Sequence, residues 1–313
     1  MKISVIVPTY RRPQDLKRCL KSLNNQTRTA DEILVIVRDI DTETWEFLEN
    51  YEIESLPLHT VTVTIPGQVA ALNIGLEEAT GDIIAITDDD GAPRPQWLSR
   101  IEAHFLSDNR LGGVGGRDWM YVNNKLIEGD RKIIGKVQWF GRTIGNHHFG
   151  KGKPREVEIL KGANMSYRRF AIGNKRFDER LLGTGAQVHN DLEFSLSIKK
   201  SGWKIIYDPF VEIDHYYGKR FDEDRRSQFD EIAWFNEVHN ITLVLLEYLP
   251  SMRKIIFLIW TILIGTRKGF GFAQWLRFLP QEGRLAGKKW LLSIKGRWQG
   301  FLTWRETTKQ QST

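Results

Sequence analysis

The sequence predicts an α/β fold built on a doubly wound, mostly parallel sheet, followed by a basic, aromatic-rich, helical C-terminal extension. Three observations carry that expectation. Short apolar runs alternate with segments of helical period through the N-terminal part of the chain, the pattern of a parallel sheet covered by helices. The apolar runs end in polar clusters, as strands do when they deliver their carboxyl ends to one ligand-binding edge. Basic residues and tryptophans are concentrated toward the C-terminal end.

Lys2 to Val7 is an apolar strand that stops at Pro8-Thr9-Tyr10-Arg11-Arg12. A helix follows, because Leu16, Cys19, Leu20 and Leu23 fall on one stripe at helical spacing. Glu32 to Val37 is a second buried strand, ending in Arg38-Asp39-Ile40-Asp41, and Leu58 to Val63 is a third. Gly67 to Ala79 reads as a helix with Val69, Leu72, Asn73 and Leu76 on one stripe and Gly81 just beyond its end. The fourth strand is Ile83-Ile84-Ala85-Ile86, which runs through Thr87 into Asp88-Asp89-Asp90-Gly91, ahead of a helix after Pro93-Arg94-Pro95. Gly112-Gly113-Val114-Gly115-Gly116 lacks the Lys-Ser/Thr of a phosphate loop and reads as a glycine-flanked strand.

The aspartate triplet is the most informative feature. Three like charges at a strand end repel one another, and a hard divalent cation such as Mg²⁺ or Mn²⁺ removes that repulsion. Alternate residues of an extended segment point the same way, so Asp88 and Asp90 face one site while Asp89 faces away. Without a cation, the triplet is a polar turn leading into the next helix. Asp39, at the end of an early strand, is placed to accept a hydrogen bond from a nucleotide base or ribose.

Ser4-Val5-Ile6-Val7-Pro8-Thr9-Tyr10-Arg11-Arg12, Asp39 and the triplet together resemble family 2 glycosyltransferases of the GT-A fold. Lys161-Gly162-Ala163-Asn164-Met165-Ser166-Tyr167-Arg168-Arg169 is similar to that family's Gly-x-Asn-x-small-aromatic-Arg segment. Asn190-Asp191-Leu192-Glu193, then Ser201-Gly202-Trp203-Lys204-Ile205 and His215, is similar to its acidic helix, Gly-aromatic turn and closing His. The resemblance spans residues 3 to 217. Two positions depart from the pattern: Asn190 stands where the family usually has Glu, and Leu72 precedes Asn73 where Arg is frequent.

The resemblance implies a sugar moved from a nucleotide-sugar donor to a hydroxyl of a glycan or lipid-linked acceptor with inversion, in polysaccharide or glycoconjugate biosynthesis. Asp88, Asp90 and His215 would hold Mn²⁺ or Mg²⁺. Pro8, Tyr10, Arg11, Asp39, Asn73, Asp88 and Asp89 would hold the nucleotide-sugar, with Pro8, Tyr10 and Arg11 walling the base. Asn164, Asn190 and Glu193 would line the sugar or acceptor, and Asp191 is the expected general base. One carboxylate suffices, because a metal-bound diphosphate leaves without an acid. Alone, Asp191 is equally a helix-start acid favoured by the dipole. His147-His148 is read as an ordinary loop pair.

The expected organisation is a catalytic domain over residues 1–220, with a nucleotide-binding half (1–117) and an acceptor half (118–220), and a helical region over 221–313. The single cysteine, Cys19, excludes an internal disulfide framework. The opening residues lack the charged and apolar regions of a secretory signal, so none is expected. Residues 251–313 hold twelve Lys/Arg against two Asp/Glu, a net of +10, leaving about −4 for the rest of a chain that totals +6. Five of the eleven tryptophans lie there: Trp260, Trp275, Trp290, Trp298 and Trp304. Basic residues interleaved with aromatics suit an anionic lipid surface. The apolar run Ile255 to Ile264 is shorter than the roughly 20 residues that span a bilayer. The expectation is therefore a peripheral protein on the cytoplasmic face of the cell membrane. Nucleic acid is not expected as a partner, since no zinc spacing or basic recognition helix is present. Two other readings exist: a catalytically silent binding or scaffold protein on the same fold, and a nucleotidyltransferase, which would want glycine after the first strand.

Overall fold

The computed structural model describes residues 1–51, 56–123, 125–223 and 228–310. The chain forms two compact units. The first comprises Met1–Lys136, Ile144–Phe177 and Phe194–Lys219, and the second comprises Val137–Thr143, Asp178–Glu193 and Arg220–Thr313. The second unit thus begins its long run beside residue 220 but also takes two segments from earlier in the chain.

The first unit is a ten-stranded sheet with helices packed on it. Its N-terminal elements are β1 (Ile3–Thr9), α1 (Pro13–Asn24), β2 (Glu32–Arg38), α2 (Thr42–Glu49), β3 (Leu58–Val63), α3 (Gln68–Glu78) and β4 (Ile83–Ile86). Then come β5 (Gly91–Pro93), α4 (Trp97–Ser107), β6 (Leu111–Val122), β7 (Met165–Arg168) and β8 (Lys204–Tyr216). Across the sheet the order is β3-β2-β1-β4-β7-β6-β8, with β5 paired to β8 and short two-residue strands at the margins. β1, β2, β3 and β4 are parallel, β6 and β8 are parallel, and β7 runs antiparallel between the two blocks.

β1 and β4 are buried along their whole length, which is why they read as largely apolar runs rather than alternating ones, with Ser4 the polar exception inside β1. Leu16, Cys19, Leu20 and Leu23 of α1 pack into the same core as Trp97, Ile101 and Phe105 of α4. β6 carries its glycines for close approach: a Cβ on Gly116 would lie 1.7 Å from the Val211 carbonyl oxygen. The expected boundary at 117/118 falls inside β6.

The helix α5 (Asn190–Lys200) begins in the second unit and continues in the first. The rest of the second unit is built on α6 (Glu231–Tyr248), α7 (Ser251–Leu263), α8 (Phe272–Glu282) and α9 (Arg284–Gln310). Asp230 caps α6 by accepting the N–H groups of Ile232 and Ala233. α9 lies close along α6: a Cβ on Gly300 would meet the His239 carbonyl at 2.7 Å, and Trp234 Nε1 donates to Ser293 Oγ at 3.0 Å. Met252, Ile255, Ile259 and Ile262 are more than half exposed and recur at helical spacing along α7. Among the described residues, no helix is long and apolar enough to cross a membrane.

Candidate active site

The chain crosses from β3, at one edge of the sheet, to β4 on the far side of β1. The strand order reverses between β1 and β4, and ligands of open α/β sheets bind outside the carboxyl ends of strands at such a reversal. Thr9 ends β1, and Asp88-Asp89-Asp90 follow β4 at that edge. β8 then returns antiparallel to β5, and their register sets His215 opposite Gly91, next to Asp90.

Ligand atoms of Asp88, Asp90 and His215 all lie within 4.8 Å of one another. His215 Nε2 is 3.2 Å from Asp90 Oδ1. The two oxygens of Asp90 do different work. Oδ2 accepts the Gly218 N–H at 3.0 Å and Arg12 Nη1 at 3.2 Å, while Oδ1 is buried without a hydrogen bond. Asp88 Oδ1 accepts Gln68 Nε2 at 2.9 Å. Buried polar atoms lacking hydrogen bonds are exceptional and ask for a ligand. Two carboxylates and an imidazole fit a divalent cation, and the nitrogen favours Mn²⁺ over the all-oxygen preference of Mg²⁺.

Asp89 points the other way. It is fully buried, accepts Thr9 Oγ1 at 2.8 Å and Arg12 Nε at 3.0 Å, and so anchors the triplet to β1 and α1. Burial raises the Asp88 and Asp89 carboxyls above the usual range. Asp90 goes the opposite way: burial works against its charge, but His215 and Arg12 outweigh it. Arg12 follows the same logic, with burial opposed and overcome by Asp89 and Asp90. Behind His215 lies a second buried charge, Asp118, whose Oδ2 takes Lys161 Nζ at 2.5 Å and sits 3.9 Å from His215 Nδ1. Arg12, Asp118 and Lys161 were not among the expected site residues. Arg12 follows Arg11, and nothing in the spacing says that the second of the two turns inward.

The other expected residues of the first unit are placed as follows. Pro8 is buried in β1 and Tyr10 is half-buried beyond it, with the Arg11 guanidinium 5.1 Å over the Tyr10 ring. Arg11 is exposed at φ 55°, its N–H held by Asp41 at 2.6 Å. Asp39 is exposed at the end of β2, and its Oδ1 accepts Arg38 Nε at 3.3 Å. Asn73 is buried and spends its amide on the Phe177 backbone, donating to its carbonyl at 3.0 Å and accepting its N–H at 2.8 Å. Asn164 is buried likewise, accepting Trp97 Nε1 and donating to the Val211 carbonyl, both at 2.9 Å. These two amides brace the chain behind the site. His147 and His148 lie in a short 3₁₀ turn, and His147 Nε2 bonds the Ile159 carbonyl at 2.8 Å.

In the second unit, Asp191 is half-buried in the first turn of α5, and its Oδ1 accepts the Leu192 N–H at 2.8 Å. The approach to it is strained: Gln187 (φ 41°) and His189 (φ 76°) both occupy left-handed backbone, a cost that clusters at functional sites. Asn190 donates to the Ala186 carbonyl at 2.9 Å. Glu193 is buried, taking the Tyr248 hydroxyl at 2.5 Å and the Asp178 N–H at 3.3 Å, and burial pushes its carboxyl up to about 7.

A strand-order reversal that brings two carboxylates and a histidine together is a site that can hold a divalent cation. Residues 4–175 match the model of glycosyl transferase family 2, more than half of the 313 residues, and the chain belongs to that family. A Methanococcus voltae relative, a dolichyl N-acetyl-α-D-glucosaminyl phosphate 3-β-D-2,3-diacetamido-2,3-dideoxy-β-D-glucuronosyltransferase, is 25% identical over 224 residues, covering 68% of this chain and 66% of the relative. The chain spans between 35% and 66% of four such curated relatives. TarS 1–349 of S. aureus, solved with UDP-GlcNAc, has a TM-score of 0.63 at 18% identity, over 96% of this chain and 81% of that one. The mannosyltransferase PcManGT of Pyrobaculum calidifontis, solved with GDP-Man and Mn²⁺, has a TM-score of 0.57 at 17% identity, over 99% and 84%. The fold is GT-A, as the sequence motifs led one to expect.

Proposed function

We propose that the chain is an inverting, metal-dependent glycosyltransferase that moves a sugar from a nucleoside-diphosphate donor to a hydroxyl of a glycan or lipid-linked acceptor. The observation that carries this reading is the convergence of Asp88, Asp90 and His215 at the strand-order reversal. Neighbours solved with nucleotide-sugars, one with Mn²⁺, and a relative named for a dolichyl-phosphate-linked sugar support it.

Asp88, Asp90 and His215 would hold Mn²⁺, and a bound cation supplies neutralisation of the charge developing on the departing diphosphate. Arg12, through Asp89 and Asp90, fixes the carboxylates in place. Tyr10, Arg11 and Asp39 would face the nucleoside. The acceptor oxygen attacks the anomeric carbon from the face opposite the diphosphate, the anomeric C–O bond breaks, and Asp191 takes the hydroxyl proton. The exposed stripe of α7, flanked by Arg253, Lys254, Arg267 and Lys268, would rest on the cytoplasmic face of an anionic membrane.

The test is a panel of UDP-, GDP- and dTDP-sugars, assayed for hydrolysis and transfer with Mn²⁺ and with EDTA. One donor consumed only with metal is the expected result. No turnover of any donor, with nucleoside diphosphate still bound, makes the chain a silent binding protein.

A further inference from the structure

The second unit holds a partly open cavity of about 540 Å³ among α6, α7, α8, α9, the segment 140–143 and the hairpin 265–270. Arg297 forms part of its wall. The side chain is buried, and it donates Nη1 to the Phe270 carbonyl and Nη2 to the Gly269 carbonyl, both at 2.8 Å. Carbonyl oxygens satisfy N–H groups but carry no countercharge, and among the described residues no carboxylate pairs with this guanidinium. Burial alone lowers it to about 10. A buried cation without a counter-ion is costly, and an anionic ligand removes the cost.

Four further cations share the lining. Arg142, Arg267, Lys268 and Arg277 border the cavity and are exposed. The opposing carboxylate is Glu237, already held by His189 Nε2 at 3.1 Å and 3.9 Å from Lys268 Nζ. The wall also has polar neutral groups, among them Thr242, Thr261 and Gln274, and an apolar part in which Phe257, Trp260 and Ile264 come from the α7 side, where Met252, Ile255, Ile259 and Ile262 form the exposed stripe. Cations and hydrocarbon in one lining suit an amphiphile with an anionic head. His189, a lining residue, is two positions from Asp191.

We propose that this cavity binds the phosphate of a lipid phosphate whose hydrocarbon chain lies along α7. Making that lipid the carrier of the sugar acceptor rests on the glycosyl-transfer reading; the binding site itself does not.

The test uses the full chain and phosphatidylcholine vesicles carrying either a polyprenyl phosphate or phosphatidylglycerol at equal charge. The expected result is about tenfold tighter retention on the polyprenyl phosphate vesicles. Arg297→Met should abolish that preference. The exposed pair Lys268→Ala and Arg277→Ala, which leaves the buried packing intact, should reduce it severalfold. Equal retention of the wild-type protein on both vesicles, or a preference indifferent to Lys268 and Arg277, overturns the proposal. Saturable calorimetric binding of inorganic phosphate without vesicle preference assigns the cavity to soluble phosphate and removes the lipid. Donor hydrolysis on the same wild-type sample separates the two readings. Hydrolysis without vesicle preference leaves glycosyl transfer standing, and preference without hydrolysis leaves the lipid site standing.

Discussion

His215 Nε2 approaches Asp90 Oδ1 to 3.2 Å, while the other oxygen of the same carboxylate is committed to Arg12 and the Gly218 N–H. The division of labour within one carboxylate comes from main-chain register, since β8 places His215 against Gly91. One oxygen is structural and the other faces the imidazole.

The triplet should therefore separate by function. Asp90→Ala and Asp88→Ala are each expected to lower transfer by about 10²-fold or more, the scale of losing charge stabilisation at a leaving group. Calorimetric titration with Mn²⁺ and nucleoside diphosphate should show weakened metal binding in both. Undiminished transfer by Asp90→Ala in EDTA would remove the metal from the reaction.

Asp89→Ala is expected to act on stability. It takes from Arg12 one of the two carboxylates that share its charge and leaves Asp90 as the other, so the cost stays below the roughly 3 kcal/mol of leaving a buried charge with no partner. Urea unfolding should give a lower midpoint at unchanged slope. Residual activity at low temperature should exceed that of Asp90→Ala.

Asp191→Asn is expected to retain donor binding and lose about 10²-fold or more in turnover, as for a general base. Calorimetry with nucleoside diphosphate and Mn²⁺ checks the first half and initial rates the second. Turnover near wild type would leave Asp191 as a helix-start acid.

Glu193 predicts a pH dependence of stability. Its folded carboxyl titrates near 7 against an ordinary value of 4.5, because burial disfavours its charge. Between those values the folded chain keeps a proton that the unfolded chain has released, so stability falls as pH rises. The loss approaches on the order of 3 kcal/mol above the upper value, from about 1.4 kcal/mol per unit. Glu193→Gln should flatten that slope in denaturant titrations at pH 5 and pH 8; a slope shared by both proteins would assign it to other groups.

Ile259→Glu, on the exposed stripe of α7, should leave thermal unfolding in place and weaken sedimentation with anionic vesicles. Transferring a charge in place of a buried aliphatic side chain costs at least about 2 kcal/mol, or tenfold or more in partition. Equal pelleting by both proteins would release α7 from the membrane.

β1, β2 and β4 were legible because burial on both faces leaves a largely apolar run. β5 was not, because Gly91-Ala92-Pro93 is too short to show a period and pairs only through β8. β8 does not show one continuous period, since its pairing with β6 shifts register between Asp208 and Glu212. In the site, Asp88, Asp90 and His215 could be named from the motifs, and the alternating orientation of Asp89 from strand geometry. Asn73 and Asn164 could be named but not understood, because their partners are main-chain groups of Phe177 and Val211 far along the chain. Lys161 and Asp118 meet only after the sheet closes.

The triplet hangs between two strands that belong to different neighbours: β4 is laced to β1 and β7, and β5 to β8. It is a short span with a pier at each end. Mutual repulsion among three carboxylates pushes against hydrogen-bonded ladders on both sides, which do not yield, so the spacing of the oxygens is a property of the sheet rather than of whatever occupies the gap. Surrounding loops can change length and sequence without moving that span.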